Sequence, residues 1–340
     1  MSDSLTVNVS LFVLAAVVVA VAGTRLAAVA NRLAAVTGLG EAVVGALFLG
    51  GSTSLPGIVT SIVAATNGHP DLAVSNALGG IAAQTAFLGI ADVVYRRANL
   101  EHAAASLATI VQGTMLIALL AMPLMAMAAP AVALLDVHPA SVLIPLGYIF
   151  GLRLSSDVRD FPMWKPQYTK ETAVEEDEDN GSGDKLAKLG PIFGVLAVVI
   201  GGAGYLIAQT GIKIANQTGF SETFVGGLFT AISTSLPELV TSVAAVKQGA
   251  LTLAVSGIIG GNTFDVLLIS LSDLAYRQGS IYQALTQQQI FVVSLTILMT
   301  GILLLGLLRR EKYGIGKIGF ESFLILVLYL SGFSLLFWWK

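Results

Sequence analysis

The sequence predicts an all-α membrane protein with ten transmembrane helices, arranged as two inverted-topology five-helix repeats. Three observations predict this fold: a very apolar composition, ten apolar segments of bilayer length and an internal sequence repeat. The chain has 340 residues, of which 55% are hydrophobic and 11% charged, and its mean hydropathy is +0.82. Soluble domains carry about 25% charged residues, so this composition excludes a soluble globular enzyme.

The sequence also lacks residues on which other functions depend. It contains no cysteine, which excludes disulfide bonds and thiolate metal sites, and its three histidines argue against a histidine-rich metal centre. The net charge of −3 comes without a large basic patch, so we expect no nucleic-acid partner. No motif pairs a nucleophile with a base or forms a phosphate loop, so we expect no enzymatic activity and no bound cofactor.

Ten apolar segments predict the spanning helices, because such a helix needs about 20 apolar residues. They cover residues 5–29, 42–66, 72–95, 104–127, 130–152, 189–211, 223–246, 250–275, 288–308 and 318–339. Their unbroken apolarity favours helices over the alternating strands of a β-barrel. The first segment is too long for a signal peptide and has no basic residues before it, so we expect it to be retained.

The basic residues predict the orientation of these spans. Three of the eighteen Lys and Arg residues lie on the side of both termini, and fifteen lie on the other side. Because positive side chains accumulate in cytoplasmic loops, we expect both termini outside and the central loop inside. The compact chain and its short loops favour the plasma (inner) membrane of a prokaryote.

An acidic stretch separates the two halves. Residues 154–187 contain the run Glu175-Glu176-Asp177-Glu178-Asp179, which predicts a solvated cytoplasmic linker. A regulatory cation sensor is the alternative, but the ordered spacing of an EF-hand calcium loop is missing. The predicted first half covers residues 1–153, and the predicted second half covers residues 188–340.

The internal repeat relates residues 41–96 to residues 222–277 at a constant offset of 181. Without gaps, 24 of 56 positions are identical, including a Ser-Thr-Ser-Leu-Pro run in each copy. Five predicted spans separate the copies, and an odd number reverses the direction of the chain through the bilayer. Inverted repeats are typical of secondary transporters, which bind their substrate near the midplane where the repeats meet.

Each Ser-Thr-Ser-Leu-Pro run predicts a break in a spanning helix. Proline removes a backbone donor and crowds the preceding turn, which frees carbonyl oxygens around Thr53 and Thr234. These carbonyls, with the hydroxyls of Thr53, Ser54, Thr234 and Ser235, are hard oxygen ligands suited to Na⁺ or Ca²⁺. The hydroxyls of one such run would only bond their own helix or a neighbouring helix, whereas two equivalent runs favour an ion site.

Two carboxylates lie deep in predicted spans. Glu238 follows Pro237 directly, and Asp265 lies in the middle of the next span. A buried carboxylate in lipid is costly and is rare unless it is functional. A structural ion pair is the alternative, but no Lys or Arg lies at a comparable depth nearby. We therefore predict that Glu238 and Asp265 bind a cation, for which protons compete.

Other repeated residues have structural interpretations. Asp273 and Arg277 lie four residues apart near a helix end, as do Asp92 and Arg96, and this spacing predicts interfacial salt bridges. The glycine pairs that begin at Gly79 and Gly260 predict close helix packing.

These motifs resemble the cation/calcium exchanger superfamily, which includes the sodium/calcium exchangers. Its members carry two inverted alpha-repeats, each typically reading Gly-Thr-Ser-Leu-Pro-Glu. The resemblance implies ion coordination by Thr234, Ser235, Glu238 and Asp265 in the second repeat. In the first repeat it implies Thr53, Ser54 and Gln84, and Asn262 matches an asparagine of the later family motif.

The first alpha-repeat departs from the family pattern. Gly57 stands where the resemblance implies a glutamate, so both predicted carboxylates come from the second half. Two carboxylates can still neutralise one divalent ion. The departure nevertheless predicts a weaker or reshaped Ca²⁺ site, or one that selects a monovalent ion or a proton.

The predicted function is secondary active cation antiport, similar to that of sodium/calcium exchangers. Ca²⁺ or a related cation would move against Na⁺ or H⁺ through a midplane site, while the first and sixth spans slide against the repeats. One alternative is a monovalent cation/proton (Na⁺/H⁺) antiporter that has lost Ca²⁺ transport. Another is a non-transporting membrane sensor. The expected partners are inorganic cations and the lipid bilayer, and a monomer is sufficient.

Overall fold

A computed structural model describes most of the chain. The described residues are 4–37, 42–95, 98–104, 106–130, 132–134, 136–167, 169–170, 172, 186–314 and 318–339. The acidic run of the predicted linker lies outside them, as do Glu41 and Arg96. Within the described ranges the secondary structure is almost entirely helical, with one isolated β-bridge between Leu134 and Val137.

The helices follow one another in a regular order. Those of the first half are α1 (Leu5–Thr37), α2 (Ala42–Thr53), α3 (Leu55–Thr66), α4 (Pro70–Val94), α5 (Leu100–Ala103), α6 (Leu107–Ala128) and α7 (Ala140–Asp160). The second half begins with α8 (Leu186–Thr218), α9 (Glu222–Phe224), a π-helical segment (Val225–Thr230), α10 (Ala231–Thr234) and α11 (Leu236–Gln248). It ends with α12 (Leu251–Asp265), α13 (Leu267–Ala275), α14 (Ile281–Ala284), α15 (Gln287–Arg309) and α16 (Phe320–Trp338).

The protein is a nearly all-helical membrane protein. In the described ranges, seven helices are long and apolar enough to cross a membrane, or up to nine if each bent pair counts as one span. The remaining predicted span, at residues 130–152, differs most from the structure, because its helix α7 begins only at Ala140. The last turns of α7 carry Arg153, Asp157 and Arg159, which make it more polar than the other spans.

Two broken helices lie at the Ser-Thr-Ser-Leu-Pro runs, as the sequence predicts. The chain bends by 69° between α2 and α3, and by 47° between the helix ending at Thr234 and α11. Ser54 and Ser235 occupy the breaks, and a proline follows two residues later in each repeat. Because proline has no N–H group, the helical hydrogen bonding is interrupted at these points.

The most enclosed helices belong to the two repeats. In their most apolar stretches, α4 is 83% buried and the α12–α13 span is 72% buried, whereas α1 and α8 are 22% and 28% buried. Residues of α1 and α8 form two small apolar clusters apart from the main core. The helix pair α1–α8 therefore lies at the periphery of a central bundle.

Close approaches join that peripheral pair to the breaks. A Cβ atom at Gly204 of α8 would lie 2.8 Å from the carbonyl oxygen of Pro56, and one at Gly23 of α1 would lie 2.4 Å from Pro237 Cγ. Gly23 and Gly204 are themselves 181 residues apart. Residues separated by this offset are called equivalent below. Each glycine thus packs against the proline of one broken helix.

Asp92 joins three segments of the chain at the end of α4. Its carboxylate accepts hydrogen bonds from the backbone N–H of Leu100, at 2.6 Å, and from that of Gly319, at 2.7 Å. These donors belong to the beginnings of α5 and α16, where helical N–H groups have no partner in their own helix. Asp92 therefore fixes the positions of both helix starts relative to α4.

The equivalent Asp273 makes equivalent contacts at the end of α13. It accepts from the backbone N–H of Ile281, at 2.7 Å, and from that of His138, at 2.8 Å. The predicted salt bridge between Asp273 and Arg277 is wrong, because Arg277 is exposed and the carboxylate is saturated by buried donors. The same prediction for Asp92 involves Arg96, which the structure does not describe.

Candidate cation site

A small cavity lies between the two broken helices. It is lined by Ser54, Gly57, Asn76, Ala77, Gly80, Gln84, Thr234, Ser235, Glu238, Asp265 and Leu268. Its volume is about 10 Å³, which is close to the least space that one water molecule needs. Equivalent residues of the two repeats, such as Ser54 and Ser235, both line it.

The structure brings six of the eight predicted site residues together at this cavity. They are Ser54, Gln84, Thr234, Ser235, Glu238 and Asp265. The other two lie elsewhere. Thr53 Oγ1 donates to the carbonyl oxygens of Leu49 and Gly50 in its own helix, at 3.2 and 3.1 Å. Asn262 Nδ2 donates to Thr85 Oγ1 at 3.0 Å.

Hydrogen bonds from the first half orient the carboxylate of Asp265. Ser54 Oγ donates to its Oδ1 atom, and Gln84 Nε2 donates to its Oδ2 atom at 2.6 Å. Gln84 Nε2 also lies 3.3 Å from Ser235 Oγ. The two breaks make this arrangement possible, because each brings a serine to the end of a helix that faces the other repeat.

Glu238 lies in the first turn of α11 and is 8% exposed. The N-terminus of a helix carries a partial positive charge, so this position favours the ionised carboxylate. Its Oε2 atom is buried and accepts no hydrogen bond from any residue that the structure describes. Gln84 Oε1, at the same cavity, is likewise a buried acceptor without a described donor.

No cationic side chain is among the described residues that line the cavity. Asp265 is 5% exposed, so both carboxylates are largely removed from water. Buried charges without a partner are strongly unfavourable. The site therefore requires a cation or protons, and its neutral oxygens come from hydroxyl and amide groups. No cluster of three or more His, Asp or Glu side chains placed to hold a metal is found in the described ranges.

Asn76 lines the cavity although it is not one of the predicted ligands. Its Nδ2 atom donates to Ser61 Oγ at 3.0 Å, and its Oδ1 atom accepts from Thr230 Oγ1 at 2.8 Å. It thereby links the first broken helix to the π-helical segment of the second repeat. Asn76 matches a further asparagine of the later family motif, distinct from the one matched by Asn262, and this match could have indicated the position from the sequence.

Gly57 also faces the cavity. A Cβ atom at this position would lie 3.9 Å from Thr234 Oγ1 and 3.2 Å from Leu268 Cδ2. Glu238 is the equivalent residue in the second repeat. Position 57, where the first repeat lacks a carboxylate, therefore lines the same cavity as Glu238.

Known proteins share this fold along nearly the whole chain. The H⁺/Ca²⁺ exchanger CAX superposes with a TM-score of 0.69 at 13% identity, covering 97% of this chain and 84% of that protein. The sodium–calcium exchanger NCX_Mj superposes with a TM-score of 0.60 at 19% identity, covering 97% of this chain and 99% of that protein. At these identities the likeness shows the fold alone.

The sequence comparisons establish the family. Inner membrane protein YrbG of Escherichia coli is 26% identical over 270 residues, which are 76% of this chain and 77% of YrbG. The profile of the family described as sodium/calcium exchanger protein matches residues 7–153 and 189–339. These two ranges include both broken helices and the whole cavity between them. The chain therefore belongs to the sodium/calcium exchanger family of membrane antiporters.

Proposed function

We propose that this protein is a secondary active antiporter that moves Ca²⁺ or a related divalent cation against Na⁺ or H⁺. The cation would bind between Glu238 and Asp265. One observation carries the proposal: two buried carboxylates share a cavity that no described cationic side chain lines. The names of the two structural relatives, a sodium–calcium exchanger and an H⁺/Ca²⁺ exchanger, support both coupling ions.

Charge balance explains why such a site would exchange ions. One divalent cation, or two protons, neutralises Glu238 and Asp265. The empty site would carry two negative charges in a poorly solvated space, which makes its movement across the membrane costly. The site would therefore reorient only when loaded, so transport of one ion requires return of the other.

The arrangement of the helices supports an alternating-access mechanism. We infer that the chain has ten spans, of which the polar helix α7 is the tenth. The spans would form two inverted halves, and the cation site would lie at the midplane where these halves meet. The peripheral pair α1–α8 would slide against the central bundle and open the cavity to either side in turn. The name of the relative YrbG supports an inner-membrane location, and the distribution of basic residues supports external termini.

Monovalent exchange is a second candidate, and a specific observation favours it. The first repeat contributes Gly57 and Gln84 where the second contributes Glu238 and Asp265, so it adds no negative charge. Gln84 moreover engages one oxygen of Asp265. A site with this smaller charge would suit Na⁺ and H⁺.

Ion flux in proteoliposomes tests the proposal. Uptake of radioactive Ca²⁺ should follow an imposed Na⁺ or H⁺ gradient and should be lost in Glu238→Gln. Asp160→Asn is the matched control, because Asp160 is an exposed carboxylate at the end of α7 and should not affect the flux. Na⁺-dependent proton movement without Ca²⁺ uptake would favour monovalent exchange. No flux of any cation would contradict transport and favour a membrane sensor.

A further inference from the structure

A buried glutamate, Glu101, lies away from the cation site in the short helix α5. Glu101 is 4% exposed. It packs against α15 and the start of α16: a Cβ atom at Gly306 would lie 3.3 Å from Glu101 Cγ, and one at Gly319 would lie 2.7 Å from its Oε2 atom. The distribution of basic residues predicts that this end of the bundle is cytoplasmic.

Only one of the two carboxyl oxygens of Glu101 has a hydrogen-bond partner among the described residues. Ser322 Oγ donates to its Oε1 atom. Its Oε2 atom is buried and has no hydrogen-bond partner among the described residues. A carboxylate in this position would leave a charged oxygen without a donor, whereas the protonated acid carries one charge less to bury.

Among the residues that the structure describes, the charged groups around Glu101 do not neutralise it. Asp92 on α4 and Glu321 on α16 are both buried and both acidic. Arg309 on α15 is directed to Glu321 and Glu311, at 3.3 Å from each, and its side chain is 57% exposed.

Two further titratable groups among the described residues near α5, His102 and Arg310, are engaged with other partners. His102 binds the Arg310 carbonyl oxygen through Nδ1 at 2.6 Å, and the Arg310 guanidinium donates to backbone carbonyls and to Thr172. Helix α12 also contacts α5, and its single charged side chain is Asp265 at the cation site.

The equivalent position at the opposite end holds a group that stays neutral. Tyr282 is equivalent to Glu101, and Ser141 is equivalent to Ser322. Tyr282 Oη and Ser141 Oγ share a hydrogen bond of 2.9 Å. The fold therefore needs a hydrogen-bonding side chain at this position but no charge. The carboxyl group of Glu101 adds an ionisable function that the packing does not require.

We propose that Glu101 is a proton-binding site, separate from the cation site, that holds the start of α16 against α5 when it is protonated. Release of the proton would leave a third buried negative charge beside Asp92 and Glu321. The packed arrangement would then be weakened where α5, α15 and α16 meet. The site would thereby make the contact between these helices sensitive to cytoplasmic pH.

The pKa of Glu101 lies close to neutral pH, where small changes in pH alter its protonation. Burial, and secondarily the nearby Asp92 carboxylate, raise the pKa of Glu101 from 4.5 to about 7, against the opposing effect of the Ser322 hydrogen bond. A raised pKa means that the folded protein holds this proton where the unfolded chain has lost it. The stabilisation is therefore full below about pH 4.5, decreases as the pH rises, and is lost above about pH 7.

Thermal unfolding and infrared spectroscopy of the purified, full-length protein test this site without measuring transport. The wild type should unfold at a lower temperature at about pH 8 than at about pH 6, on either side of the Glu101 pKa. Glu101→Gln should reduce this difference and should remove one component of the protonated-carboxyl absorption that the wild type loses on raising the pH. Tyr282→Phe, at the equivalent position, should retain both. A full pH difference or an unchanged band in Glu101→Gln would overturn the proposal.

Ser322→Ala provides a second test if Glu101→Gln does not fold. It removes the hydrogen bond that favours the charged form, so the pH at which the band disappears should rise, by up to about one unit. An unchanged midpoint would overturn the proposal. Because neither measurement involves ion flux, failure of the antiport proposal would leave both results interpretable.

Discussion

Gln84 donates a 2.6 Å hydrogen bond to Asp265, and these two residues occupy equivalent positions in the two repeats. The two repeats thus place an amide against a carboxylate at equivalent positions, whereas two carboxylates there would repel each other. The amide orients Asp265 without adding charge. Position 57 is the other place where the first repeat lacks the acid that its equivalent carries, and it offers a direct test of the site.

Gly57→Glu should tighten the binding of divalent cations. The new side chain would begin 3.9 Å from Thr234 Oγ1, in the cavity that Glu238 also lines. We expect affinity for Ca²⁺ to rise about tenfold, which corresponds to about 1.4 kcal/mol. Calorimetry would measure the affinity. Gly57→Gln adds a similar volume without charge and should not tighten binding. Equal affinities for a folded Gly57→Glu variant and the wild type would show that position 57 does not serve the site.

Thr234→Val and Thr53→Val form a matched pair, because the residues are equivalent and only Thr234 lines the cavity. Valine has nearly the same shape as threonine but lacks the hydroxyl oxygen. We expect Thr234→Val to weaken cation binding about fivefold, the loss of about 1 kcal/mol for one neutral ligand. Thr53→Val should stay within about twofold of the wild type, which is about 0.4 kcal/mol. The same binding measurement checks both, and a larger effect at Thr53 would contradict the site geometry.

Gly79→Ala should destabilise the protein, whereas Gly260→Ala should not. A Cβ atom at Gly79 would lie 2.1 Å from the carbonyl oxygen of Gly227, so α4 and the π-helical segment would have to separate. At the equivalent Gly260 the nearest atom is Gln112 Oε1, at 3.8 Å. We expect Gly79→Ala to cost about 1–3 kcal/mol. Thermal unfolding in detergent would measure this, and similar melting temperatures for the two variants would contradict it.

Gly204→Ala should slow exchange more than it weakens binding. The methyl group would press on the Pro56 carbonyl, at 2.8 Å, where α8 must slide past the broken helix. Gly201→Ala lies on the same helix and meets no atom within 4 Å, so it should exchange ions at the normal rate. Flux and binding measured on both variants would separate these effects. A normal flux in Gly204→Ala would argue against sliding of α8 at this contact.

The sequence predicted the parts of the fold that its repeat and its prolines determine. The two breaks follow from the Ser-Thr-Ser-Leu-Pro motif that recurs at a constant offset, and the shared cavity of Glu238 and Asp265 follows from their depth in neighbouring spans of one repeat. The orientation of each hydroxyl does not, because successive residues of a helix point in directions about 100° apart and Ser54 lies at the break, beyond the last helical residue Thr53. Only the packing of the two repeats decides which of them faces the cavity.

Long-range contacts account for the other differences. Asp273 accepts a hydrogen bond from His138, which lies 135 residues away in the chain, so its spacing to Arg277 was a poor guide. The π-helical segment Val225–Thr230 occurs where the equivalent first-repeat residues are α-helical. No local motif marked that segment, and its neighbours Gly79 and Leu72 belong to the other half.

The volume of the cavity has a consequence for ion selectivity. A space of about 10 Å³ leaves no room for an ion that keeps its own hydration shell, so protein oxygens must replace those waters. Ca²⁺ accepts such a replacement in flexible coordination, whereas Mg²⁺ dehydrates reluctantly and usually retains several waters. Discrimination between these two ions would then depend on the absence of space for water as much as on the charge of the carboxylates.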